Sequence, residues 1–269
     1  TYQMKRNKDF FQNLLPAIEE IGNAASEAIM GVYSEDFSAK NKSDGSPLTE
    51  ADLKSNQIII EGLHKITPEI QVISEETYVK SEKRNDEFWL IDPLDGTRGF
   101  INKDGNFSVN IAFISEGRSI FGFVQRPTDG KIWTSIDSAQ SSPAFKKNYL
   151  RVLMSKNHQS ENDKQFLSFL RDKGIYFGLV EKGSSLKFCA LVEDDADIYL
   201  RFGPTSEWDI AAAAAVLHAS GGETINIDTR KELEYGKEDI LNPPFIAYRN
   251  GHIRDELGEI LEEYAKILL

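Results

Sequence analysis

The sequence predicts a mixed α/β (α+β) protein, and three patterns carry that expectation. Two stretches of helical spacing open the chain, separated by the Ser43-Asp44-Gly45-Ser46-Pro47 loop. From Phe107 the pattern changes to strand-forming runs rich in Phe, Ile and Val, broken by Glu116-Gly117 and Asp129-Gly130 turns. Beyond Pro143, short apolar runs alternate with helical segments in the rhythm of βα units.

Taken in order, Phe10, Leu14, Ile18, Ile21, Ala25 and Ile29 share one helical face, which predicts a helix from about Asp9 to Gly31. Pro47, with its fixed φ, suits the first position of a second helix. That helix is expected to run to about Ile66 and to bury Leu53, Ile59, Ile60 and Leu63. Ile70 to Ile73 reads as a short strand ending in Ser74-Glu75-Glu76, and the charged stretch from Thr77 to Glu87 as a solvated loop. Strands are expected at Phe88–Ile91, Phe107–Ile114, Ser119–Gln125 and Lys131–Ser135. Gln140-Ser141-Ser142-Pro143 then reads as a connection between an N-terminal α+β domain (1–140) and a C-terminal α/β domain (141–269). In the second domain strands are expected at Arg151–Met154, Ile175–Leu179 and Ile198–Leu200. Helices are expected at Glu161–Arg171, from about Ser184, at Ser206–Ser220 closed by Gly221-Gly222, and from Arg254 to Leu268. The alanine run at 211–215 reads as tightly packed helix.

At 269 residues, with 40% hydrophobic and 28% charged residues, the chain can build a sizeable core under a solvated surface. No apolar segment approaches the length of a bilayer span, and no apolar stretch behind a basic patch marks secretion, so a cytoplasmic location is expected. Cys189 is the sole cysteine, which excludes intrachain disulfides and disfavours thiolate zinc sites; it reads as a small buried apolar residue. The net charge of −12 argues against a nucleic-acid polymer as partner. It leaves a small anionic ligand open, because bound cations and a few placed Lys or Arg side chains can reverse the local sign.

The stretch Trp89-Leu90-Ile91-Asp92-Pro93-Leu94-Asp95-Gly96-Thr97 runs an apolar strand into two aspartates around a proline. Asp92 and Asp95 are expected to project from one stiff turn, with the N–H groups of Gly96 and Thr97 facing an anion at a helix start. Paired carboxylates beside an anion seat suit Mg²⁺-dependent phosphate chemistry, and an ordinary strand end with an Asp-Gly turn is the plain alternative. Glu75 and Glu76 follow a strand, where α/β proteins place ligands, or are merely solvated acids. Asp209 in Ser206-Glu207-Trp208-Asp209, and Asp52 in Pro47-Leu48-Thr49-Glu50-Ala51-Asp52, lie in first turns of helices, where capping is the alternative.

Together, an acid pair after a strand, then Asp-Pro-Leu-Asp-Gly-Thr, then Trp-Asp at a helix start resembles the signature of the inositol monophosphatase superfamily, the lithium-sensitive, magnesium-dependent phosphomonoesterases. The likeness extends over essentially the whole chain. Within the superfamily the chain resembles the bacterial 3′(2′),5′-bisphosphate nucleotidases of the CysQ type. Pro47 to Asp52, Gly183-Ser184-Ser185-Leu186-Lys187-Phe188-Cys189 and Arg201-Phe202-Gly203-Pro204-Thr205 carry that likeness. It departs from the enterobacterial form at Arg98-Gly99, where a Lys-Glu pair often stands, and at Ser206-Glu207.

The resemblance implies a layered αβαβα sandwich of the inositol monophosphatase and fructose-1,6-bisphosphatase type. It implies that Glu75, Asp92, Asp95, Asp209 and the Leu94 carbonyl hold two or three Mg²⁺ ions, with Glu76 outside the direct ligands. Thr97 hydrogen-bonded to Asp52 is the implied water-activating pair, and Gly96 and Thr97 N–H groups seat the phosphate being removed. Glu75, Leu94, Asp95 and Asp209 then border the substrate as well, while His158, Ser184, Lys187 and Arg201 meet its second phosphate and ribose. The implied reaction is hydrolysis of the 3′-phosphate of adenosine 3′,5′-bisphosphate (PAP), and of its sulfated form PAPS, within sulfur metabolism and inhibited by Li⁺. An inositol- or sugar-phosphate phosphatase with the same metal site is the enzymatic alternative. A catalytically weak PAP-binding sensor is the alternative of another class, and the intact Asp52 and Thr97 speak against it. The sequence leaves open the oligomeric state and peripheral association with the inner face of the cell membrane.

Overall fold

The computed structural model describes residues 6–35, 38, 40–42, 47–154 and 160–269. Helix α1 (Lys8–Tyr33) starts at Asn7, whose side chain accepts from the Phe10 N–H at 3.1 Å. A two-stranded ribbon of β1 (Lys40–Asn41) and β2 (Pro47–Leu48) precedes α2 (Glu50–Ile66). Pro47 therefore lies in the ribbon and does not open the helix. The cap is Thr49, whose N–H and hydroxyl both bond to Asp52 in a capping box. Leu53, expected to be buried, is 51% exposed. The buried face of that first stretch is instead Ala51, Asp52, Ser55 and Asn56, because it packs on polar backbone: Ser55 Oγ donates to the Pro93 carbonyl at 2.7 Å.

The first sheet has the order β3 (Gln71–Ser74), β4 (Glu87–Asp95), β5 (Ser108–Ser115), β6 (Arg118–Arg126) and β7 (Lys131–Thr134). Its β3–β4 pair is parallel and the rest is antiparallel; the short helix α3 (Thr97–Ile101) links β4 to β5. The rest of the chain runs β8 (Tyr149–Leu153), α4 (Glu161–Asp172), β9 (Tyr176–Val180), α5 (Leu186–Val192), β10 (Ile198–Arg201) and α6 (Glu207–Ala219). It ends with β11 (Glu223–Asn226), β12 (Phe245–Tyr248) and α7 (Gly251–Ile267). The second sheet has the order β11-β12-β10-β8-β9, with β8 parallel to both neighbours. Strands β11 and β12, four residues each, are absent from the sequence reading.

Three apolar clusters stack these elements into five layers. Phe11, Ile18 and Ile29 of α1 and Ile59 and Leu63 of α2 cover Trp89, Ile91 and Phe113 on one face of the first sheet. On its other face Leu90, Ala112 and Val124 meet Phe188 and Leu191 of α5 and Ala211 to Ala214 of α6, which also touch Tyr199 and Phe245 of the second sheet. Phe166 and Leu170 of α4 and Leu257 and Leu261 of α7 close the far side over Val152, Ile198 and Ile246. This is the expected αβαβα sandwich. The alanine run lets α6 lie on the first sheet at backbone distance, since a Cβ on Gly122 would stand 1.9 Å from the Ala212 carbonyl oxygen. No described helix is long and apolar enough to cross a membrane.

Candidate active site

The carboxylates converge where β3, β4 and α6 end or begin. Asp92 and Asp95 do not sit on a turn as expected. Strand β4 continues through Asp95, and the pairing with β5 shifts register between Asp92 and Asp95. Pro93, which has no N–H to give to a ladder, falls in that bulge, the place in a sheet where proline is tolerated. The bulge re-aims the side chains, so that ligand-capable oxygens of Asp92, Asp95 and Asp209 all lie within 4.8 Å of one another. Glu75, one residue past β3, stands close enough to Asp92 for its charge to help raise the Asp92 carboxyl.

Backbone N–H groups fix each of these acids from behind. Asp92 Oδ1 accepts from the Leu94 N–H at 3.1 Å, Asp95 Oδ2 from the Ser185 N–H at 2.5 Å, and Asp209 Oδ2 from the Ser206 N–H at 2.7 Å. Asp209 is thus both part of a helix capping box and a member of the cluster. Desolvation together with neighbouring carboxylates raises the whole group: Asp92 far above the ordinary range, Asp95 to about 6 and Asp209 to about 8. A set of hard oxygen donors that repel one another and hold protons near neutral pH fits a divalent cation, which replaces those protons.

Asp52 has two roles as well. Its Oδ2 takes the Thr49 capping bonds, and its Oδ1 accepts from the Thr97 hydroxyl at 3.0 Å. Asp52 is fully buried, and desolvation raises its pKa against the hydrogen bonds it receives. Gly96 caps α3 in the left-handed region at φ 89°, and a Cβ there would stand 2.6 Å from the Asn106 carbonyl oxygen.

On the C-terminal side, Ser184 has φ 49°, and its hydroxyl lies 3.3 Å from that of Ser108. Ser185 reaches further, donating its N–H to Asp95 and its hydroxyl to Asn110 at 2.8 Å. The Lys187 ammonium is buried; it donates to the Ser184 carbonyl at 3.4 Å and lies 5.5 Å from the Tyr199 ring centroid. Desolvation lowers it to about 8, against the attraction of Asp95. Arg201 points its guanidinium at the Gly203 and Pro204 carbonyls, 3.2 Å from each. His158 lies outside the described residues.

Sequence reasoning missed Lys42, whose ammonium stands 2.7 Å from both Glu75 Oε1 and Glu76 Oε1. Glu76 is spent on this pair, with burial pushing it up to about 7. Neither Ser185 nor Lys42 belongs to a spacing that announces a role, although Ser185 stood inside a quoted motif. The departures from the enterobacterial pattern also have structural partners. A Cβ on Gly99 would meet Asp104 Oδ1 at 2.6 Å, and Glu207 is fully buried, accepting from the Gly236 and Lys237 N–H groups at 2.7 and 3.1 Å.

The inositol monophosphatase family model matches residues 11–266. The chain belongs to that family. Among curated relatives, the 3′(2′),5′-bisphosphate nucleotidase CysQ of Salmonella typhimurium is 36% identical over 252 residues, covering 86% of this chain and 98% of the relative. The CysQ of Escherichia coli K12 is 35% identical over the same shares. Among solved structures, CysQ from Bacteroides thetaiotaomicron matches with a TM-score of 0.77 at 30% identity, covering 90% of this chain and 98% of that one.

Proposed function

We infer that this family member is a 3′(2′),5′-bisphosphate nucleotidase that hydrolyses the 3′-phosphate of PAP to give AMP and inorganic phosphate, and treats PAPS in the same way. The observation that carries the reading is the carboxylate cluster of Asp92, Asp95 and Asp209, fixed from behind by backbone N–H groups and set beside the Thr97–Asp52 pair. The CysQ names of the relatives support the substrate.

Glu75, Asp92, Asp95, Asp209 and the Leu94 carbonyl would hold Mg²⁺. When bound, the ions supply charge neutralisation at the phosphoryl oxygens, and Li⁺ competes for one position. The residues do the rest. Asp52 Oδ1 accepts the Thr97 proton as Thr97 Oγ1 takes one from the attacking water. Burial makes Asp52 a better proton acceptor than a surface carboxylate. The N–H groups of Gly96 and Thr97 are assigned to the phosphate that leaves. Lys187, a buried ammonium that forms no ion pair with a carboxylate among the described residues, is assigned to the second phosphate, with Arg201 and Ser184 beside it.

Phosphate release with Mg²⁺ from PAP, inositol 1-phosphate and fructose 1,6-bisphosphate tests this reading. PAP is expected to lead in kcat/KM by roughly tenfold or more, about 1.4 kcal/mol in transition-state binding. Equal or faster turnover of inositol 1-phosphate would move the enzyme to the sugar-phosphate branch of its family.

A further inference from the structure

The three aspartates of the cluster each accept from one backbone N–H, but the three donors are placed by different means. The donor to Asp92 is Leu94, two residues along the same strand, and the donor to Asp209 is Ser206, three residues before it at the start of α6. Local geometry delivers both. The donor to Asp95 is Ser185, 90 residues away in the C-terminal half of the chain. Only tertiary structure can bring that N–H to Asp95 Oδ2, and at 2.5 Å it is the shortest contact of the three.

A run of buried hydroxyls ending on an amide accounts for it. Ser108, Asn110 and Ser185 are each 2% exposed or less. Ser185 Oγ lies 2.8 Å from Asn110 Oδ1 and 2.8 Å from Ser108 Oγ, and Ser108 Oγ lies 3.3 Å from Ser184 Oγ. A hydroxyl carries one hydrogen and the amide oxygen can only accept, so the run has one direction. Ser185 donates to Asn110, Ser108 donates to Ser185, and Ser184 donates to Ser108. Both β5 members stand across the bulge from acids of the cluster, since β4 and β5 pair Asp92 with Asn110 and Asp95 with Ser108. The segment before α5 is also seated closely: a Cβ on Gly183 would stand 2.7 Å from Asn106 Cβ. Ser184 has φ 49°, a left-handed conformation that a residue other than glycine keeps only where its surroundings hold it.

On the reading of Asp92, Asp95 and Asp209 as a Mg²⁺ site, we propose that Ser108, Asn110 and Ser185 are positioning residues for that site. Their side chains hold the Ser185 N–H on Asp95, and Mg²⁺ affinity depends on them although none of them is a ligand. The N–H fixes the orientation of a carboxylate that its like-charged neighbours would otherwise push aside, and partners of this kind change metal affinity by about 10–100-fold.

Calorimetric titration of Mg²⁺ into the metal-free protein, without substrate, tests the proposal. Ser185→Ala and Asn110→Ala should each weaken binding by about tenfold, the lower end of that range, because each acts on Asp95 through one further bond. The double variant should bind about as weakly as either single one, since both remove the same hydrogen bond. Backbone hydrogen exchange over residues 183–187 should be faster in Asn110→Ala than in the parent before any metal is added. Asp197→Ala, which removes a partner of Arg151 and Arg249 instead, should keep the parent's Mg²⁺ affinity. Should Asn110→Ala not fold, Ser185→Ala decides. Parent-like Mg²⁺ binding by Ser185→Ala, unchanged exchange over 183–187, or an equal loss of affinity in Asp197→Ala would each overturn the proposal. A parent protein that binds no Mg²⁺ would overturn the metal reading itself, and the proposal with it.

Discussion

Two clusters of buried charge in this molecule are built in opposite ways. Around Asp197, 2% exposed, every acid has a cation: Arg151 bonds it through Nη2 at 2.8 Å, and Arg249, fully buried, through Nε at 3.3 Å. Arg249 also bonds the Ala144 carbonyl at 2.7 Å, tying down the connection before β8. Burial alone would raise Asp197, but the Arg151 hydrogen bonds and the two guanidinium charges outweigh it and hold the carboxyl below its ordinary range. Around Asp92 the three aspartates Asp92, Asp95 and Asp209 crowd one another with no cation in hydrogen-bond contact among the described residues, and all three are raised. The first cluster is complete within the chain. The second is complete only with an added cation, and burial by itself does not distinguish them; the partner does.

The comparison breaks first at Asp92. Asp92→Asn is expected to abolish turnover while keeping the fold, and relief of repulsion should make the metal-free protein more stable than the parent. Retention of more than about a tenth of kcat at saturating Mg²⁺, a barrier increase of only about 1.4 kcal/mol, would contradict the assignment. Next, Thr97→Ala or Asp52→Asn should lower kcat by about 10²–10⁴ with Mg²⁺ affinity nearly unchanged, measured by activity against metal concentration. A large fall in metal affinity with little loss of kcat would place Asp52 among the metal ligands.

Lys187→Ala should lower kcat/KM for PAP by about 10–150-fold, chiefly through KM, the scale of a charged hydrogen bond of about 1.5–3 kcal/mol. Hydrolysis of 3′-AMP, which lacks the second phosphate, should hardly change; equal losses on both substrates would remove Lys187 from that role. In the balanced cluster the cost appears in folding instead. Asp197→Ala removes the carboxylate shared by Arg151 and Arg249, leaving both with Asp194, and should destabilise by about 1–3 kcal/mol in urea unfolding, with kcat of the folded fraction preserved. A loss under about 1 kcal/mol would show that the guanidinium groups find water or another acceptor.

Much of this was legible in the sequence because the chemistry demands particular residue types. Asp92, Asp95, Thr97 and Asp209 were recognisable because the proposed chemistry calls for carboxylates and a hydroxyl at these places. The elements were legible too, from helical spacing in Phe10 to Ile29 and from the strand runs after Phe107, while their layering followed from the family resemblance. Tertiary context hid the rest. Leu53 looked like core, but the buried face of α2 there belongs to the polar residues packed against the site. Pro47 looked like a helix start, until the Thr49–Asp52 box set the cap two residues later. Lys42 carries no motif, and only the folded arrangement brings it to Glu75 and Glu76.

The central claim, that the acid cluster is incomplete without a cation, is tested most directly by the melting temperature between about pH 5 and pH 8, with and without Mg²⁺. Asp95, raised to about 6, Asp209, raised to about 8, and the strongly raised Asp92 keep protons in the folded chain that the unfolded chain releases near pH 4. Their contribution is therefore fully present below about pH 4 and is lost as pH rises through the folded values. Lys187, lowered to about 8, acts in the opposite sense only above that pH, outside the window. The metal-free protein should melt at progressively lower temperature from pH 5 to 8, and saturating Mg²⁺ should raise the melting temperature most at pH 8. A metal-free protein that gains stability across this window, or a slope that Mg²⁺ leaves untouched, would contradict the account.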